Sequence, residues 1–307
     1  MKYNIIGDIH GRKIYKQLLR DDCTNIFIGD YFDPYDGQTY EECETIFKEI
    51  LRYKEEHPET ILLVGNHDMQ YLIGENYSRK MYKHAQDIKD LFNENHDKFQ
   101  ICTSFDDVIV SHAGVSNVWY LYRITKQIRP YPHIITETNV DNFEEYYIER
   151  FNYGNWDVDT IRTNMAPIYN GFAYYWDKKC EKWVKIDDDI ETIVKNINQI
   201  WKDEDERTIG DSFSFGWNSH REDIYGDSPQ QSPVWIRPGT LSEYGIGLKQ
   251  IKQVVGHTQM PGIKMNLYSS SIYAVDCLGQ KPQSLIYDTD TKTFAVNELE
   301  DGKEENR

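Results

Sequence analysis

Side chains that can bind metal ions follow several short apolar runs of the sequence. The motifs are 7-GDIHG-11, 29-GDYFD-33, 65-GNHD-68, 111-SHAG-114 and 256-GHT-258. Together they offer the candidate ligands Asp8, His10, Asp30, Asn66, His112 and His257. Carboxylate, imidazole and amide donors without thiolates suit Mn²⁺, Fe or Zn²⁺ in five- or six-coordinate sites. The motifs therefore predict a centre for divalent metal ions.

The ligand set is large enough for two cations. Two ions about 3.5–4 Å apart need a ligand that both share, and a carboxylate with two oxygens can be that ligand. We assign this bridge to Asp30. One ion would also take Asp8 and His10, and the other would take the remaining candidates, which are Asn66, His112 and His257. A glycine before most of these ligands leaves room for a metal ion because it has no Cβ.

A sheet must bring these motifs together. Apolar runs at 3–6, 25–28, 61–64 and 108–110 precede the first four motifs, and helical patterns at about 12–21 and 39–57 lie between them. Short, wholly apolar strands that alternate with helices indicate a sheet buried on both faces and parallel in its first half. Ligands bind at the carboxyl ends of such strands, which is where the motifs lie.

The middle of the chain differs in composition. Residues 116–232 are rich in aromatic and polar side chains, with helices predicted at 142–151 and 188–201 and a long loop at 203–232. We interpret this stretch as an insertion over the active face. Strand patterns resume at 234–236, 253–256, 272–276, 284–288 and 293–296, and they predict a second, more antiparallel sheet. Residues 297–307 form an acidic tail, which we expect to fray.

Charge and cysteine content restrict the partners and the compartment. The formal net charge of −17 repels nucleic-acid backbones and anionic membranes, and it repels phosphorylated substrates unless bound cations reverse the sign locally. The five cysteines are scattered and form no C-x-x-C pair, which favours free thiols in a reducing compartment. No run approaches the ~20 apolar residues of a membrane span. We therefore expect a soluble cytoplasmic protein without membrane partners or non-specific nucleic-acid binding.

In their order along the chain, the five motifs resemble those of the calcineurin-like metallophosphoesterase superfamily, most closely its phosphoprotein-phosphatase branch and bacterial relatives. The segments 232-SPVWIRPG-239 and 271-SIYAVDCLG-279 resemble further parts of that branch, so the resemblance covers about 1–115 and 233–296. It implies a single domain over 1–307 with a four-layer α-β-β-α fold, in which helices flank two mixed sheets. It also implies that a metal-bound hydroxide hydrolyses phosphoric esters at two divalent ions. From the types of ligand we expect Mn²⁺, with Fe or Zn²⁺ as alternatives.

The resemblance implies roles for residues beside the metal ligands. His67 matches a proton donor, and Asp33 matches the aspartate that orients it and raises its pKa. Arg237 matches an arginine that binds the substrate phosphate. Asp68 is expected to form a turn or to orient a ligand, and Asp36 is expected to be a polar turn residue.

The chain departs from the branch at two arginines that bind phosphate. Pro34 and Val64 occupy the matching positions. Gln259 favours the branch, because many relatives outside it have a second histidine at this position. The arginines that could compensate are Arg12, Arg79, Arg123, Arg129, Arg207 and Arg221. The sequence does not choose between them.

Three classes of function fit the pattern. The first, which we favour, is a phosphomonoesterase for phosphoproteins or small phosphorylated metabolites. The second is a nucleotide hydrolase, such as a symmetrical diadenosine tetraphosphatase, or a phosphodiesterase, with bases stacked on Trp156, Trp176 or Trp217. The third is a non-catalytic binding module. A complete ligand set disfavours it, because buried carboxylates without metal cost stability.

Overall fold

The computed structural model describes residues 1–74, 79–125, 131–136, 138–150, 157–203, 215, 227–247 and 250–299. Its strands are β1 (Lys2–Ile6), β2 (Thr24–Phe27), β3 (Ile61–Leu63), β4 (Phe99–Gln100), β5 (Cys102–Phe105), β6 (Val108–Ser111), β7 (Tyr131–Ile135), β8 (Met165–Tyr169), β9 (Phe172–Asp177), β10 (Lys182–Lys185), β11 (Lys252–Val255), β12 (Ile272–Ala274), β13 (Gln283–Asp288) and β14 (Thr293–Glu298). Its α-helices are α1 (Tyr15–Leu18), α2 (Tyr40–Glu56), α3 (Asn66–Leu72), α4 (Ala85–Glu94), α5 (Asn117–Thr125), α6 (Phe143–Arg150), α7 (Val158–Asn164), α8 (Ile190–Asp203) and α9 (Pro238–Tyr244). Short 3-10 turns occupy Tyr82–His84, His96–Lys98, Val140–Asn142 and Leu267–Ser269. Within the described ranges, no helix combines the length and the apolar composition that a bilayer span requires.

The first sheet has the strand order β14-β13-β1-β2-β3-β4. Strands β1 to β4 run parallel, as the alternation of apolar runs and helices predicted for the first three. The last two strands of the chain join this sheet antiparallel, with Ile5 of β1 opposite Leu285 of β13. The expectation that these two strands belong to a second sheet is therefore wrong. Their place here is explained by burial, since Leu285 and Tyr287 are completely buried between the sheets.

The second sheet has the order β12-β11-β6-β5. Strand β6, which was expected in the first sheet, pairs here in parallel with β11 and antiparallel with β5, and β12 is also parallel to β11. The second sheet is thus mixed and less antiparallel than predicted. Residues 234–236, predicted as a strand, form a turn in which the amides of Trp235 and Ile236 both donate to the carbonyl of Ser232, at 2.9 and 3.2 Å.

The two sheets face each other across a buried core. One cluster combines side chains from the first sheet and the second, namely Ile5, Ile26 and Leu63 with Val108, Val110 and Val254. Helix α2 covers the outer face of the first sheet, where Phe47 and Ile50 pack with Phe27. Helix α8 contacts β5 and β6 on the outer face of the second. The predicted four-layer α-β-β-α fold with two mixed sheets is confirmed.

The middle of the chain contains a third sheet that its sequence pattern did not predict. Its order is β10-β9-β8-β7, with β7 and β8 parallel and the other pairs antiparallel. Strand β9 carries aromatic side chains on both faces: Tyr174 packs with Phe143 of α6, and Tyr175 packs against the main core. A strand of this kind has no apolar–polar alternation, which is the usual sequence signal for a half-buried strand.

Two further expectations concern the limits of elements. Helix α1 is shorter than the predicted 12–21, because Leu19 already has extended backbone with ψ of 143°. Most of the predicted loop at 203–232 lies outside the described residues. The division into a core and an insertion at 116–232 stays a prediction, although α8 in this stretch forms part of the outer helical layer.

Candidate metal centre

The carboxyl ends of strands from both sheets meet at one cavity. The candidate ligands follow β1, β2, β3, β6 and β11, and they are, in that order, Asp8 with His10, Asp30, Asn66, His112 and His257. The cavity has a volume of about 140 Å³, and its lining includes every one of these side chains except His112. His112 is completely buried beside it and contacts Asn66 and Asp30. The structure therefore brings all six predicted ligands together.

Asp30 lies between two histidines from different sheets. Its Oδ2 is 3.5 Å from Nε2 of His10 and 3.5 Å from Nε2 of His112. Its Oδ1 accepts a hydrogen bond from the backbone N–H of His67 at 2.8 Å. Nδ1 of His10 lies 2.9 Å from the backbone carbonyl of Phe32, and Nδ1 of His112 lies 2.9 Å from that of Ile28. Because Nδ1 then carries the proton, the Nε2 lone pairs are available to cations on either side of Oδ2.

Asn66 is the meeting point of the second group of ligands. Its Oδ1 lies 2.9 Å from Nε2 of His112 and 2.8 Å from Nδ1 of His257. Ligand atoms of Asp8, Asp30 and His112 all lie within 4.8 Å of one another. These donors follow five different strands and converge on one region of the cavity.

Burial prepares the histidines for metal and makes the carboxylates costly without it. Burial lowers the pKa of His10 to about 3, and it also lowers the pKa of His112, so both imidazoles are neutral, which is the form that can bind a metal ion. Burial raises the pKa of Asp8 well above its usual value, and the nearby carboxylates of Asp276 and Asp30 raise it further. Oδ1 of Asp8 is buried and has no hydrogen-bond partner among the described residues. A donor set with this deficit of positive charge fits divalent cations.

Positive φ values and neighbouring glycines determine where the candidate ligands lie. His10, Asp30 and His257 have positive φ values of 44°, 54° and 60°, a region that residues other than glycine rarely occupy and that often marks functional sites. A Cβ at Gly65 would lie 2.1 Å from Oδ1 of Asp30, and a Cβ at Gly256 would lie 2.1 Å from Oδ1 of Asp8. The glycines therefore make room for the ligand carboxylates themselves, in addition to the predicted room for metal.

Gly256→Ala is expected to weaken Mn²⁺ affinity by about 10- to 100-fold, the size of effect seen when the support of a ligand is lost. The added methyl group displaces Asp8, and the overpacking also costs about 1–3 kcal/mol of folding free energy. Calorimetric titration with Mn²⁺ measures the affinity. Gly239→Ala is the matched control, since a Cβ there meets nothing within 4 Å. Equal Mn²⁺ affinity of Gly256→Ala and wild type would contradict this explanation of the glycine.

A histidine–aspartate pair borders the ligands. Nδ1 of His67 lies 2.9 Å from Oδ2 of Asp33, and His67 lines the cavity. Asp33 also accepts hydrogen bonds from Nε2 of Gln70 and the hydroxyl of Tyr71. Burial lowers the pKa of His67, but the carboxylates of Asp30 and Asp33 more than offset this, so the pKa is raised above its usual value. The pair is built to hold a protonated imidazole next to the centre.

Asp68 joins two of the ligand loops. Its Oδ2 accepts from the backbone N–H groups of Asp30 and Gly65, at 2.7 and 2.8 Å, and its Oδ1 accepts from that of Tyr31 at 2.9 Å. Of the two roles expected for Asp68, the structure thus shows the one that orients a ligand. The carboxylate fixes the loop after β2 against the loop after β3.

Arg237 is the residue directly before α9, and its side chain extends to the cavity. Its Nη1 donates to the backbone carbonyl of His257 and to Oγ1 of Thr258, each at 3.1 Å, and its side chain lines the cavity. Gln259, which stands at the position of a second histidine in other relatives, also lines the cavity. The guanidinium of Arg237 therefore lies against the loop that carries His257, the last predicted ligand.

A model of the family described as calcineurin-like phosphoesterase matches residues 1–195, which is more than half of the 307 residues. The chain belongs to the calcineurin-like phosphoesterase family. The resemblance inferred from the five motifs is thus confirmed, and as a member of this family the chain is a hydrolase of phosphoric ester bonds. The buried group of Asp8, Asp30 and His112 could hold a metal ion.

Similar solved structures have low identities to this phosphoesterase. A cold-active protein-tyrosine phosphatase of a psychrophilic Shewanella is 14% identical with a TM-score of 0.46, and the match covers 96% of this chain and 80% of that chain. A structure described as a "putative diadenosine tetraphosphatase" is 13% identical with a TM-score of 0.37, and the match covers 98% and 95%. A metallophosphoesterase from Sphaerobacter thermophilus is 13% identical with a TM-score of 0.26, covering 70% and 97%. No curated protein matches the sequence.

Three residues that line the phosphoesterase cavity, Asp276, Tyr35 and Trp235, were not predicted from the sequence as site residues. Asp276 follows β12 and is buried beside Asp8, and its pKa is raised to about 6, chiefly by burial and then by the charge of Asp30. Its signal was present, because the apolar run 272–275 ends in an acidic residue just as the ligand strands do. Tyr35 lines the cavity as well. No sequence pattern distinguished this tyrosine from the other 22.

Asp36 is more than the polar turn residue that was expected. Its Oδ2 accepts a hydrogen bond from Nε of Arg12 at 2.8 Å, and Arg12 is buried. The ion pair joins the loop after β2 to the loop after β1. The sequence did not reveal it, because the two residues are 24 positions apart and no local pattern links them.

Other chemically active side chains of the phosphoesterase lie in structural contacts. His84 stacks on Tyr40, and His96 stacks on Trp201. Trp176, one of the proposed base platforms, packs against Trp183 and has the guanidinium of Arg162 3.9 Å from its ring centroid. Several candidates from the sequence lie outside the described residues, namely Arg129, Trp156, Arg207, Trp217 and Arg221.

Proposed function

We propose that this protein is a phosphomonoesterase with a dinuclear centre of divalent cations, Mn²⁺ for preference, acting on a phosphoprotein or a small phosphorylated metabolite. The observation that supports a shared centre is the position of Asp30. One oxygen of this carboxylate is 3.5 Å from a histidine of the first sheet and 3.5 Å from a histidine of the second. Its other oxygen accepts a hydrogen bond from the His67 amide, so Oδ2 is the oxygen that would face both cations.

The remaining ligands divide between two positions on either side of Asp30. Asp8 and His10 would hold the first cation, and Asn66, His112 and His257 would hold the second. When bound, the cations supply Lewis-acid stabilisation of the phosphoryl oxygens and activation of water. They also reverse the sign of the field that a chain with a net charge of −17 presents to a phosphate.

Two side chains act on the substrate itself. Arg237 lines the cavity and is held by the loop of His257, and its planar guanidinium can donate to two phosphoryl oxygens at once. His67 lines the same cavity and is oriented by Asp33. It donates a proton to the departing oxygen as the phosphorus–oxygen bond breaks, so that the leaving group departs as a neutral alcohol.

The size of the cavity favours a terminal phosphoryl group. A polar volume of about 140 Å³ lined by the ligands, Arg237 and His67 holds a phosphoryl group and leaves the rest of the substrate outside. The common cavity of these side chains and the reaction class of the family both support the proposal. A monoester needs no further enclosed volume.

A panel of substrates tests the proposal. The purified protein is assayed with Mn²⁺ on p-nitrophenyl phosphate, bis-p-nitrophenyl phosphate, a phosphoserine peptide and diadenosine tetraphosphate. We expect turnover of the monoesters, complete loss on chelation with EDTA, and recovery when Mn²⁺ is returned, because the cations carry several kcal/mol of transition-state stabilisation. Faster turnover of the diester or of the dinucleotide than of both monoesters would overturn the proposal, as would full activity in EDTA.

A further inference from the structure

An exposed tyrosine forms part of the rim of the cavity. Tyr35 is 41% exposed, yet it lines the same cavity as the ligands. Its ring meets that of His10 edge-on, with centroids 4.7 Å apart. The tyrosine therefore extends from the candidate metal ligands to the surface.

A cation stands on the face of this ring. The guanidinium carbon of Arg79 lies 4.0 Å from the ring centroid of Tyr35, which is the distance of a cation–π contact. The Arg79 side chain is exposed, and among the residues that the structure describes no carboxylate forms an ion pair with it. An arginine fixed in orientation by an aromatic face keeps its hydrogen-bond donors for a ligand.

The other arginine beside Tyr35 is committed elsewhere. Arg12 is buried, and its Nε donates to Asp36. A Cβ at Gly279 would lie 2.7 Å from its Nη2, so the guanidinium packs closely against the backbone of Gly279. Its carbon is 5.6 Å from the Tyr35 ring centroid, farther than that of Arg79. Of these two candidate arginines, Arg79 is the one that a substrate can reach.

We propose that Arg79, held over the ring of Tyr35, binds a second anionic group on the leaving-group side of the substrate. This inference rests on the proposed phosphomonoesterase function, in which the phosphoryl group occupies the cavity and the leaving group passes the rim. The preferred substrates are then phosphate esters whose alcohol carries a carboxylate or a second phosphate near the ester. In a chain of net charge −17, a local cation is needed to accept such a group.

The experiment compares matched substrates that differ by one charge. Values of kcat/KM with Mn²⁺ are measured for phenyl phosphate, 4-carboxyphenyl phosphate and 1,4-phenylene bisphosphate, and each charged substrate is expressed as a ratio to phenyl phosphate. In Arg79→Gln both ratios are expected to fall by about fivefold, the range of a partly exposed ion pair. Arg79→Lys keeps the positive charge and Tyr35→Phe keeps the aromatic ring, so both variants are expected to retain the wild-type ratios within about twofold. Tyr35→Ala removes the ring, and both ratios are expected to fall as they do in Arg79→Gln.

Controls separate this inference from the function beneath it. Arg52→Gln removes an exposed arginine of α2 and is expected to keep the wild-type ratios. Calorimetric binding of phenylphosphonate and 4-carboxyphenylphosphonate provides a readout without turnover, in which Arg79→Gln should lose the preference for the charged analogue. Failure of wild type to hydrolyse phenyl phosphate would overturn the proposed function. Hydrolysis with the same ratios in wild type, Arg79→Gln and Tyr35→Ala would overturn the second-anion site alone. If the kcat/KM ratio in Arg79→Gln falls for just one of the two charged substrates, the site is supported and that substrate carries the anion that it accepts.

Discussion

Asp30→Asn is expected to lower kcat/KM for p-nitrophenyl phosphate with Mn²⁺ by about a thousandfold, since a metal centre contributes several kcal/mol to the transition state. The carboxylate contacts both halves of the ligand set, through the distances of 3.5 Å from its Oδ2 to His10 and to His112. An asparagine can keep its carbonyl oxygen on the backbone N–H of His67, which now donates to Oδ1. Its NH₂ group then faces both histidines, at the place that the cations need a negative oxygen.

The metal content decides whether this explanation is right. Elemental analysis after dialysis against Mn²⁺ should show two ions per wild-type chain and fewer in Asp30→Asn, and the Mn²⁺-dependent rise in Tm should shrink in parallel. Asp290→Asn makes the same chemical change at an exposed turn and should match wild type in both respects. A variant with two bound ions and turnover within a few-fold of wild type would remove Asp30 from the bridging role.

Local patterns were enough to predict which candidate ligands lie together. Each of Asp8, Asp30, Asn66 and His257 follows the end of a short apolar strand, and the carboxyl ends of parallel strands meet at one edge. This argument does not depend on which sheet a strand joins. The sequence could therefore predict that the site residues are neighbours, even though the sheet predicted for β6, the strand before His112, was wrong.

Strand partners could not be predicted in the same way, because they depend on pairings between distant parts of the chain. The run 108–110 is equally apolar whether it lies beside β3 or beside β11, and only the fit of Val108 and Val110 into the core between the sheets decides. The pairing of Ile5 with Leu285 is also long-range. Contacts of this kind leave no periodic signal in either segment, and the ion pair of Arg12 with Asp36 was missed for the same reason.

His67→Gln is expected to lower kcat/KM by about a thousandfold for alkyl phosphates and by only about tenfold for p-nitrophenyl phosphate. An alkoxide is a poor leaving group and needs a proton as the bond breaks, whereas p-nitrophenolate is stable without one. His67 is placed for this step, because Asp33 holds its Nδ1 at 2.9 Å and the ring lines the cavity. The raised pKa keeps the imidazole protonated at higher pH than an ordinary histidine.

The metal centre should survive this change. The contact of His67 with Asp30 is made by its backbone N–H, which glutamine retains, so two Mn²⁺ ions per chain are expected in His67→Gln. Asp33→Asn leaves the imidazole in place but weakens its orientation, and it should give a smaller loss of the same selectivity, about 10- to 100-fold for alkyl phosphates. Loss of metal in either variant would indicate a structural role instead.

The dependence on the leaving group separates proton donation from simple positioning. For wild type, log(kcat/KM) across a series of substituted phenyl and alkyl phosphates should vary weakly with the pKa of the leaving alcohol, since the proton donor compensates for poor leaving groups. For His67→Gln the slope should become steep and negative, because the charge on the departing oxygen is no longer neutralised in the transition state. An equal loss for every ester, with an unchanged slope, would mean that His67 positions the substrate and that the proton comes from elsewhere.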